Sequence, residues 1–185
     1  MQKRVFIIHG WEANPGCNWF PWLKAELEHR GFEVFVPAMP NTLFPKPEEW
    51  LSHMKKIIGK PDRDTFLVGH SLGVIAILRC LESLGPFEKV GGALLVAGPD
   101  ESIGFPEIEA FFHPPVDYAA VKAAAGAIAI INSDTDPYIP LSFGKRMSKK
   151  LGAKLVVLHS RGHLNCESDN FMFPEALDEI LLLSK

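Results

Sequence analysis

Short apolar runs alternate along the chain with longer segments in which apolar residues recur every three or four positions. The runs cover residues 5–8, 33–36, 65–68, 93–96, 127–131 and 154–158. Short apolar runs of this kind are typical of parallel strands that are buried on both faces. We therefore expect six strands.

Segments with helical periodicity fill the gaps between these runs. The expected helices cover residues 19–30, 47–58, 71–84, 140–151 and 174–183. The last two begin at proline, and a glycine follows the first and the fourth, as is common at helix ends. This alternation predicts an α/β fold: a parallel sheet with helices on both faces and right-handed crossovers. For this sheet we expect the strand order 2-1-3-4-5-6.

Residues 99–119 do not follow the alternation. The segment is rich in phenylalanine and proline and follows an expected strand at the edge of the sheet where such folds bind ligands. Two interpretations remain open, a small lid or pocket wall and an ordinary packed loop.

Length and composition favour one domain. The chain has 185 residues, 47% hydrophobic and 22% charged, which is enough for one substantial core and short for two. We expect a single domain over residues 1–185.

The formal net charge of -3 provides no basic field, so nucleic acids and anionic membrane surfaces are poor candidate partners.

The sequence contains no recognisable targeting or membrane-spanning segment. Only residues 5–8 separate the basic residues 1–4 from His9, too short a run for a signal peptide, and no run approaches the length of a membrane span. The cysteines are odd in number, show no metal-site spacing, and suit free thiols in a reducing cytoplasm. They are Cys17, Cys80 and Cys166. We expect a cytoplasmic location.

The strongest chemical signal is Gly-His-Ser-Leu-Gly at residues 69–73, between the third expected strand and the third expected helix. Strand, sharp turn and helix are the context of a nucleophile elbow, with Ser71 at its apex. We expect a strained serine backbone with positive φ, and strand and helix so close that Gly69 and Gly73 cannot carry side chains. The helix N-terminus would favour negative charge developing nearby. The alternative is a plain tight turn.

A serine nucleophile needs a general base and a carboxylate that orients it. Two histidines follow the last expected strand, and His163, which lies beyond the strand end after a glycine, is favoured over His159. The loop after the preceding strand offers Asp134 and Asp136, and Asp136 is favoured because a proline-bounded turn supports it. The alternatives are solvated loop histidines and an Asx turn or helix cap at either aspartate.

The oxyanion formed in acyl transfer needs N–H donors. We expect one donor to be the backbone N–H of Leu72, directly after the nucleophile. The loop after the first strand should supply the other, and we assign it to the Trp11 N–H. His9 is expected to form a structural hydrogen bond, and His70 to pack inside the elbow rather than react.

Taken together, these motifs resemble the YdeN-like serine hydrolases, small α/β-hydrolases similar to retinoblastoma-binding protein nine. The resemblance is carried, in chain order, by residues 9–15, 19–23, 69–73, 133–138 and 162–165. It implies a reduced α/β-hydrolase sheet without a large cap domain, and it assigns the nucleophile, acid and base to Ser71, Asp136 and His163. The order serine, acid, histidine is also the order expected of α/β-hydrolases.

The expected activity is cleavage of a small-molecule ester, or an amide or peptide bond, through an acyl-serine intermediate. The sequence lacks the common phosphate-loop, dinucleotide-binding and His-Glu-x-x-His motifs, and nothing in it calls for a cofactor or a metal. Candidates for an apolar pocket, which are equally candidates for the core, are Trp11, Phe105, Phe111, Phe112 and Tyr138.

A second function class is a catalytically weak protein-interaction module on the same scaffold. Residues 78–82 match Leu-x-Cys-x-Glu, a short motif associated with binding to the retinoblastoma protein. Such a motif must be exposed and extended, whereas this stretch lies in the expected helix after the elbow, which is apolar almost all round. We therefore expect it to be inaccessible.

Overall fold

The computed structural model describes residues 2–185 and contains a six-stranded sheet in the order β2-β1-β3-β4-β5-β6. The strands are β1 (Arg4–Ile8), β2 (Glu33–Phe35), β3 (Thr65–His70), β4 (Val90–Val96), β5 (Ala125–Ser133) and β6 (Lys154–Leu158). All neighbouring strands are parallel. The expected architecture and strand order are confirmed. The order reverses direction beside β1, so the crevice at the carboxyl ends of β1 and β3 is where a ligand is expected to bind.

Six α-helices connect and flank the strands in the described part of the chain. They are α1 (Phe20–His29), α2 (Pro47–Ile58), α3 (Leu72–Glu82), α4 (Tyr118–Ala124), α5 (Leu141–Leu151) and α6 (Pro174–Leu183). Proline occupies the first turn of α1, α2 and α6, and Gly152 ends α5 in the left-handed conformation with φ 67°. Over residues 2–185, no helix has both the length and the apolar character needed to cross a bilayer.

The two faces of the sheet carry different helices because strand side chains alternate in direction. On β1, Val5 and Ile7 pack in a cluster with α1 and α6, while Phe6 and Ile8 pack in a cluster with α2, α3, α4 and α5. Both faces are therefore buried, as the continuous apolar runs predict. The loops at the carboxyl edge of the sheet therefore extend from strands that are packed on both faces.

Helix α4 is absent from the sequence prediction, which treats residues 99–119 as irregular. Asp117 caps the helix: one of its carboxylate oxygens accepts the N–H groups of Ala119 and Ala120 at 2.9 and 3.0 Å. An aspartate followed by an alanine-rich stretch was the available signal. The rest of the segment contains a 3₁₀ helix, Pro106–Phe112, and no large cap domain.

Helix α3 is buried on nearly every side. It contains residues 78–82, where Leu78 is 0% and Cys80 2% exposed. Burial raises the pKa of the Cys80 thiol to about 11. The Leu-x-Cys-x-Glu stretch is therefore helical, and its leucine and cysteine are inaccessible, as expected.

Candidate active site

Ser71 lies at the turn between β3 and α3 with φ 54° and ψ -122°, a strained backbone for a residue with a side chain. Its N–H donates to the carbonyl of Val96 at 3.0 Å. A Cβ on Gly73 would lie 2.1 Å from the carbonyl oxygen of Ile8, and one on Gly69 would lie 2.8 Å from the Gly73 backbone. The turn therefore has the positive φ and the two steric glycines that the sequence predicts.

The candidate residues from three separate loops line one cavity of about 390 Å³. Trp11 follows β1, Ser71 and Leu72 form the turn after β3, and His163 follows β6. The structure thus brings together residues that are up to 152 positions apart, since Trp11 and His163 share the wall.

The segment between β4 and α4 forms part of this wall. The residues that it contributes are Pro99, Ile103, Phe105 and Ile108. Of the aromatic candidates, Trp11 and Tyr138 line the cavity as well, whereas Phe111 and Phe112 are core residues, 1% and 4% exposed. The segment is therefore both a packed loop and a pocket wall.

Asp136 and His163 form a buried pair. Asp136 Oδ2 accepts a hydrogen bond from His163 Nδ1 at 2.8 Å, and the aspartate side chain is 0% exposed. Its Oδ1 accepts the N–H groups of Tyr138 and Ile139, each at 2.9 Å. With the carboxylate ionised, Nδ1 of His163 holds the proton and Nε2 has a free lone pair. Asp136 thus forms an Asx turn and also orients the imidazole, so the two interpretations of this residue are compatible.

Asp134 and His159, the alternatives weighed from the sequence, form a second pair at the surface. Asp134 Oδ2 lies 2.6 Å from His159 Nδ1, and the His159 side chain is 81% exposed. Two hydrogen bonds hold the pKa of Asp134 below its usual value: the one from the Ser160 N–H has the larger effect, and the one with His159 has the smaller. Among the described residues, neither Asp134 nor His159 lines the cavity. The favoured pair is therefore buried at the cavity, and the disfavoured pair faces solvent.

His9 is fully buried and fixes the peptide between Gly10 and Trp11. Its Nδ1–H donates to the carbonyl of Gly10 at 2.8 Å, and its Nε2 accepts the N–H of Met39 at 3.0 Å. Both bonds require a neutral ring, and burial lowers the pKa of His9. The C=O and N–H of a trans peptide point in opposite directions, so the bond to Gly10 directs the Trp11 N–H away from His9. His9 is thus the structural hydrogen-bonding residue that the sequence predicts.

Two backbone N–H groups are available beside the serine. Leu72 is the first residue of α3, so its N–H has no acceptor within the helix. The Trp11 N–H belongs to a peptide that lies against the serine, since a Cβ on Gly10 would be 2.9 Å from Ser71 Cβ. This arrangement suits stabilisation of negative charge at the cavity.

The loop that carries His163 is tied to distant parts of the chain. The carbonyl of His163 accepts the Nε2–H of His70 at 3.0 Å, and the carbonyl of Leu164 accepts the Nε1–H of Trp19 at 2.9 Å. Sequence reasoning missed both contacts. Their partners are 93 and 145 residues apart, so no local pattern indicates them.

The imidazole of His163 contacts two rings, with its centroid 5.0 Å from that of His70 and 5.1 Å from that of Tyr138. No hydrogen bond joins its side chain to that of Ser71 among the described residues, although both line the cavity. Catalytic hydrogen bonds are often long in ligand-free enzymes and shorten when substrate binds.

Residues 2–185 contain no group of three or more His, Cys, Asp or Glu side chains arranged to hold a metal ion. The three cysteines are free thiols. Cys17 and Cys166 line the cavity, while Cys80 is buried in α3.

Sequence comparison identifies known proteins that are similar to this chain. The sequence model of the family described as Serine hydrolase matches residues 5–181. YdeN of Bacillus subtilis (strain 168) is 36% identical over 164 residues, which cover 88% of this chain and 86% of YdeN. Serine hydrolase RBBP9 of Rattus norvegicus is 28% identical over 149 residues, 79% of this chain and 77% of RBBP9.

Solved structures show the same architecture. The crystal structure of the ydeN gene product from B. subtilis matches with a TM-score of 0.94 and 33% identity, covering 98% of both chains. The esterase RhEst1 from Rhodococcus sp. ECU1013 matches with a TM-score of 0.75 over 99% of this chain and 90% of RhEst1. At 13% identity, the likeness to RhEst1 is one of fold alone.

Proposed function

Since the chain belongs to the serine hydrolase family, we propose that it cleaves a small carboxylic ester through an acyl-Ser71 intermediate. His163 acts as general base and then as general acid, and Asp136 orients it. The observation that carries the proposal is the buried Asp136–His163 pair, which leaves Nε2 free for a proton beside the cavity that Ser71 lines.

The reaction proceeds in two halves. In the first, His163 Nε2 accepts the Ser71 proton while Oγ attacks the ester carbonyl, the N–H groups of Leu72 and Trp11 bind the oxyanion, and the imidazolium protonates the departing alcohol. In the second, the same histidine removes a proton from water as the water attacks the acyl carbonyl, and it then returns that proton to Ser71 Oγ as the acyl–oxygen bond breaks and the acid leaves. Asp136 stabilises the imidazolium in both halves.

The cavity supports a small substrate with an apolar part. Its volume of about 390 Å³ and its aromatic and aliphatic wall suit a short acyl or aryl group. Amide and peptide bonds remain the alternative within the same chemistry. Loops from both ends of the chain contribute to the cavity, which supports one hydrolase domain over residues 1–185. The interaction-module alternative loses support because residues 78–82 are helical and their Leu78, Cys80 and Leu81 side chains are buried in α3.

Hydrolysis of p-nitrophenyl butyrate by single-residue variants tests the proposal, with kcat/KM as the quantity compared with the wild type. Ser71→Ala and His163→Ala should each lose about 10³-fold or more, whereas His159→Ala, in the surface pair, should retain the wild-type rate. A Ser71→Ala protein that hydrolyses the ester at the wild-type rate would overturn the proposal.

A further inference from the structure

A second buried imidazole directly precedes the proposed nucleophile in the chain and contacts the proposed base. His70 is 3% exposed and is the last residue of β3, immediately before Ser71. Its Nε2 lies 3.0 Å from the backbone oxygen of His163. A carbonyl oxygen only accepts, so Nε2 of His70 carries the proton. One hydrogen bond therefore connects the residue beside the nucleophile to the backbone of the base.

The ring of His70 is held neutral. Its Nδ1 is buried without a hydrogen-bond partner in the described part of the chain, so a proton there would create an uncompensated buried charge. Burial, reinforced by the nearby His163, lowers the pKa of His70 to about 3. At neutral pH the proton is therefore on Nε2, where it serves the bond to the His163 carbonyl.

Two aromatic rings fix the orientation of this imidazole. Trp19 and Phe20 contact it with centroid distances of 6.0 and 5.9 Å. Trp19 also donates its Nε1–H to the carbonyl of Leu164. The consecutive carbonyls of His163 and Leu164 are thus held by two buried ring donors that touch each other.

We propose that His70 is a positioning residue, whose Nε2–H holds the backbone of His163 at the distance from Ser71 that proton transfer requires. The inference rests on the proposed function. Asp136 selects the tautomer and the ring orientation of His163, whereas His70 sets where its backbone lies. Displacing a catalytic group by as little as about 1 Å costs on the order of 10²-fold in rate.

Matched substitutions test this role. His70→Met removes the donor but keeps an apolar side chain of similar length, and His70→Gln keeps an N–H donor near the position of Nε2. For p-nitrophenyl butyrate, we expect His70→Met to lower kcat about 10- to 100-fold with KM changed less than about 2-fold, and His70→Gln to recover most of the loss. His53→Met is the control, since His53 is a half-buried histidine on α2, away from the cavity, whose Nε2 also has no hydrogen-bond partner among the described residues.

A His70→Met protein with wild-type kcat would overturn the inference, as would a His70→Gln protein that is as slow as His70→Met at equal thermal stability. If His70→Met does not fold, His70→Asn replaces it in the comparison with His70→Gln, because its shorter amide cannot reach the same carbonyl. Ser71→Ala is assayed in parallel. Equal hydrolysis by wild type and Ser71→Ala would contradict the proposed function, whereas Ser71-dependent hydrolysis with an unaffected His70→Met would contradict the positioning role alone.

Discussion

Asp134 and Asp136 are two positions apart and differ in their surroundings. Asp136 is enclosed, with both oxygens accepting hydrogen bonds and one of them bonded to His163. Asp134 is partly exposed and pairs with the solvated His159. Exposed pairs of this kind contribute little to stability because water and salt screen them. Only the enclosed carboxylate is placed to stabilise an imidazolium beside the cavity.

Substituting the two aspartates one at a time separates their roles. Asp136→Asn should lower kcat for p-nitrophenyl butyrate about 10³-fold or more, because an amide no longer holds the Nδ1–H tautomer of His163. Asp134→Asn should change kcat by less than about 2-fold. Steady-state kinetics on both proteins, with circular dichroism to verify folding, measures the difference. A larger loss in Asp134→Asn than in Asp136→Asn would reverse the assignment.

At the residue scale, the sequence indicates the candidate catalytic side chains but not the hydrogen bonds that hold them in position. Residues placed just after strands meet at one edge of a parallel sheet, so position selects the two loops. Within them, the proline-bounded turn favours Asp136, and the place beyond the strand end after a glycine favours His163. The bonds from His9 to Gly10 and from His70 to His163 depend on how rings are buried. Buried rings are placed by the whole core, which a local pattern does not specify.

At the level of elements, a close backbone contact between β1 and the start of α3 constrains the site. The helix begins so close to the strand that a Cβ on Gly73 would lie 2.1 Å from the carbonyl oxygen of Ile8. Backbone meets backbone there, so neither side can rotate away. The same close approach presents the Ser71 turn to the loop after β1.

Adding one methyl group at this contact should be costly. We expect Gly73→Ala to lower the free energy of unfolding by about 3 kcal/mol, because the helix or the strand must move. Gly85→Ala is the control: its nearest atom is the flexible end of Glu88, at 3.3 Å, and it should change stability by less than about 0.5 kcal/mol. Urea denaturation of both proteins measures the difference. Equal free energies of unfolding for Gly73→Ala and Gly85→Ala would show that α3 and β1 are not in tight steric contact at Gly73.

Element boundaries show where sequence patterns lose information. Strand β4 begins at Val90 and β5 at Ala125, earlier than the apolar runs at residues 93 and 127 indicate. Gly91, Gly92 and Gly126 carry no strand signal of their own. They are extended because the two strands pair there, Val90 with Ala125 and Gly92 with Ala127.

At the scale of the whole molecule, buried neutral histidines couple stability to pH. The folded-state pKa is lowered for His9 and for His70, in the latter case to about 3, from an ordinary value of 6.5. Between these values the unfolded chain binds protons that the folded chain does not. The contribution of the neutral rings to stability is therefore complete above about pH 6.5 and is lost as the pH falls towards 3.

The slope of stability against pH isolates His70. Below about pH 6.5, protonation of His70 in the unfolded chain should lower the free energy of unfolding by about 1.4 kcal/mol for each unit by which the pH falls. His70→Gln has no group to titrate, so its stability should fall less steeply by that amount. Urea denaturation at a series of pH values between about 7 and about 4.5 measures both slopes. Parallel slopes would show that His70 is not buried as a neutral ring.

The strand order is the whole-molecule property that the sequence predicts best. Strand and helix alternation together with right-handed crossovers leaves few arrangements, and the structure has the expected one. The division of residues 99–119 into wall and core was not predictable. Phe105 directly precedes the 3₁₀ helix and lines the cavity, whereas Phe111 lies within that helix and is buried in the core cluster that contains α3.

The central claim, that Ser71 is a nucleophile activated by His163, is tested most directly by a fluorophosphonate probe with mass spectrometric mapping of the modified residue. Wild-type protein should be modified at Ser71, Ser71→Ala should remain unmodified, and His163→Ala should react at least about 10²-fold more slowly. A folded wild-type protein that the probe leaves unmodified, or a Ser71→Ala protein modified at the wild-type rate, would contradict the claim.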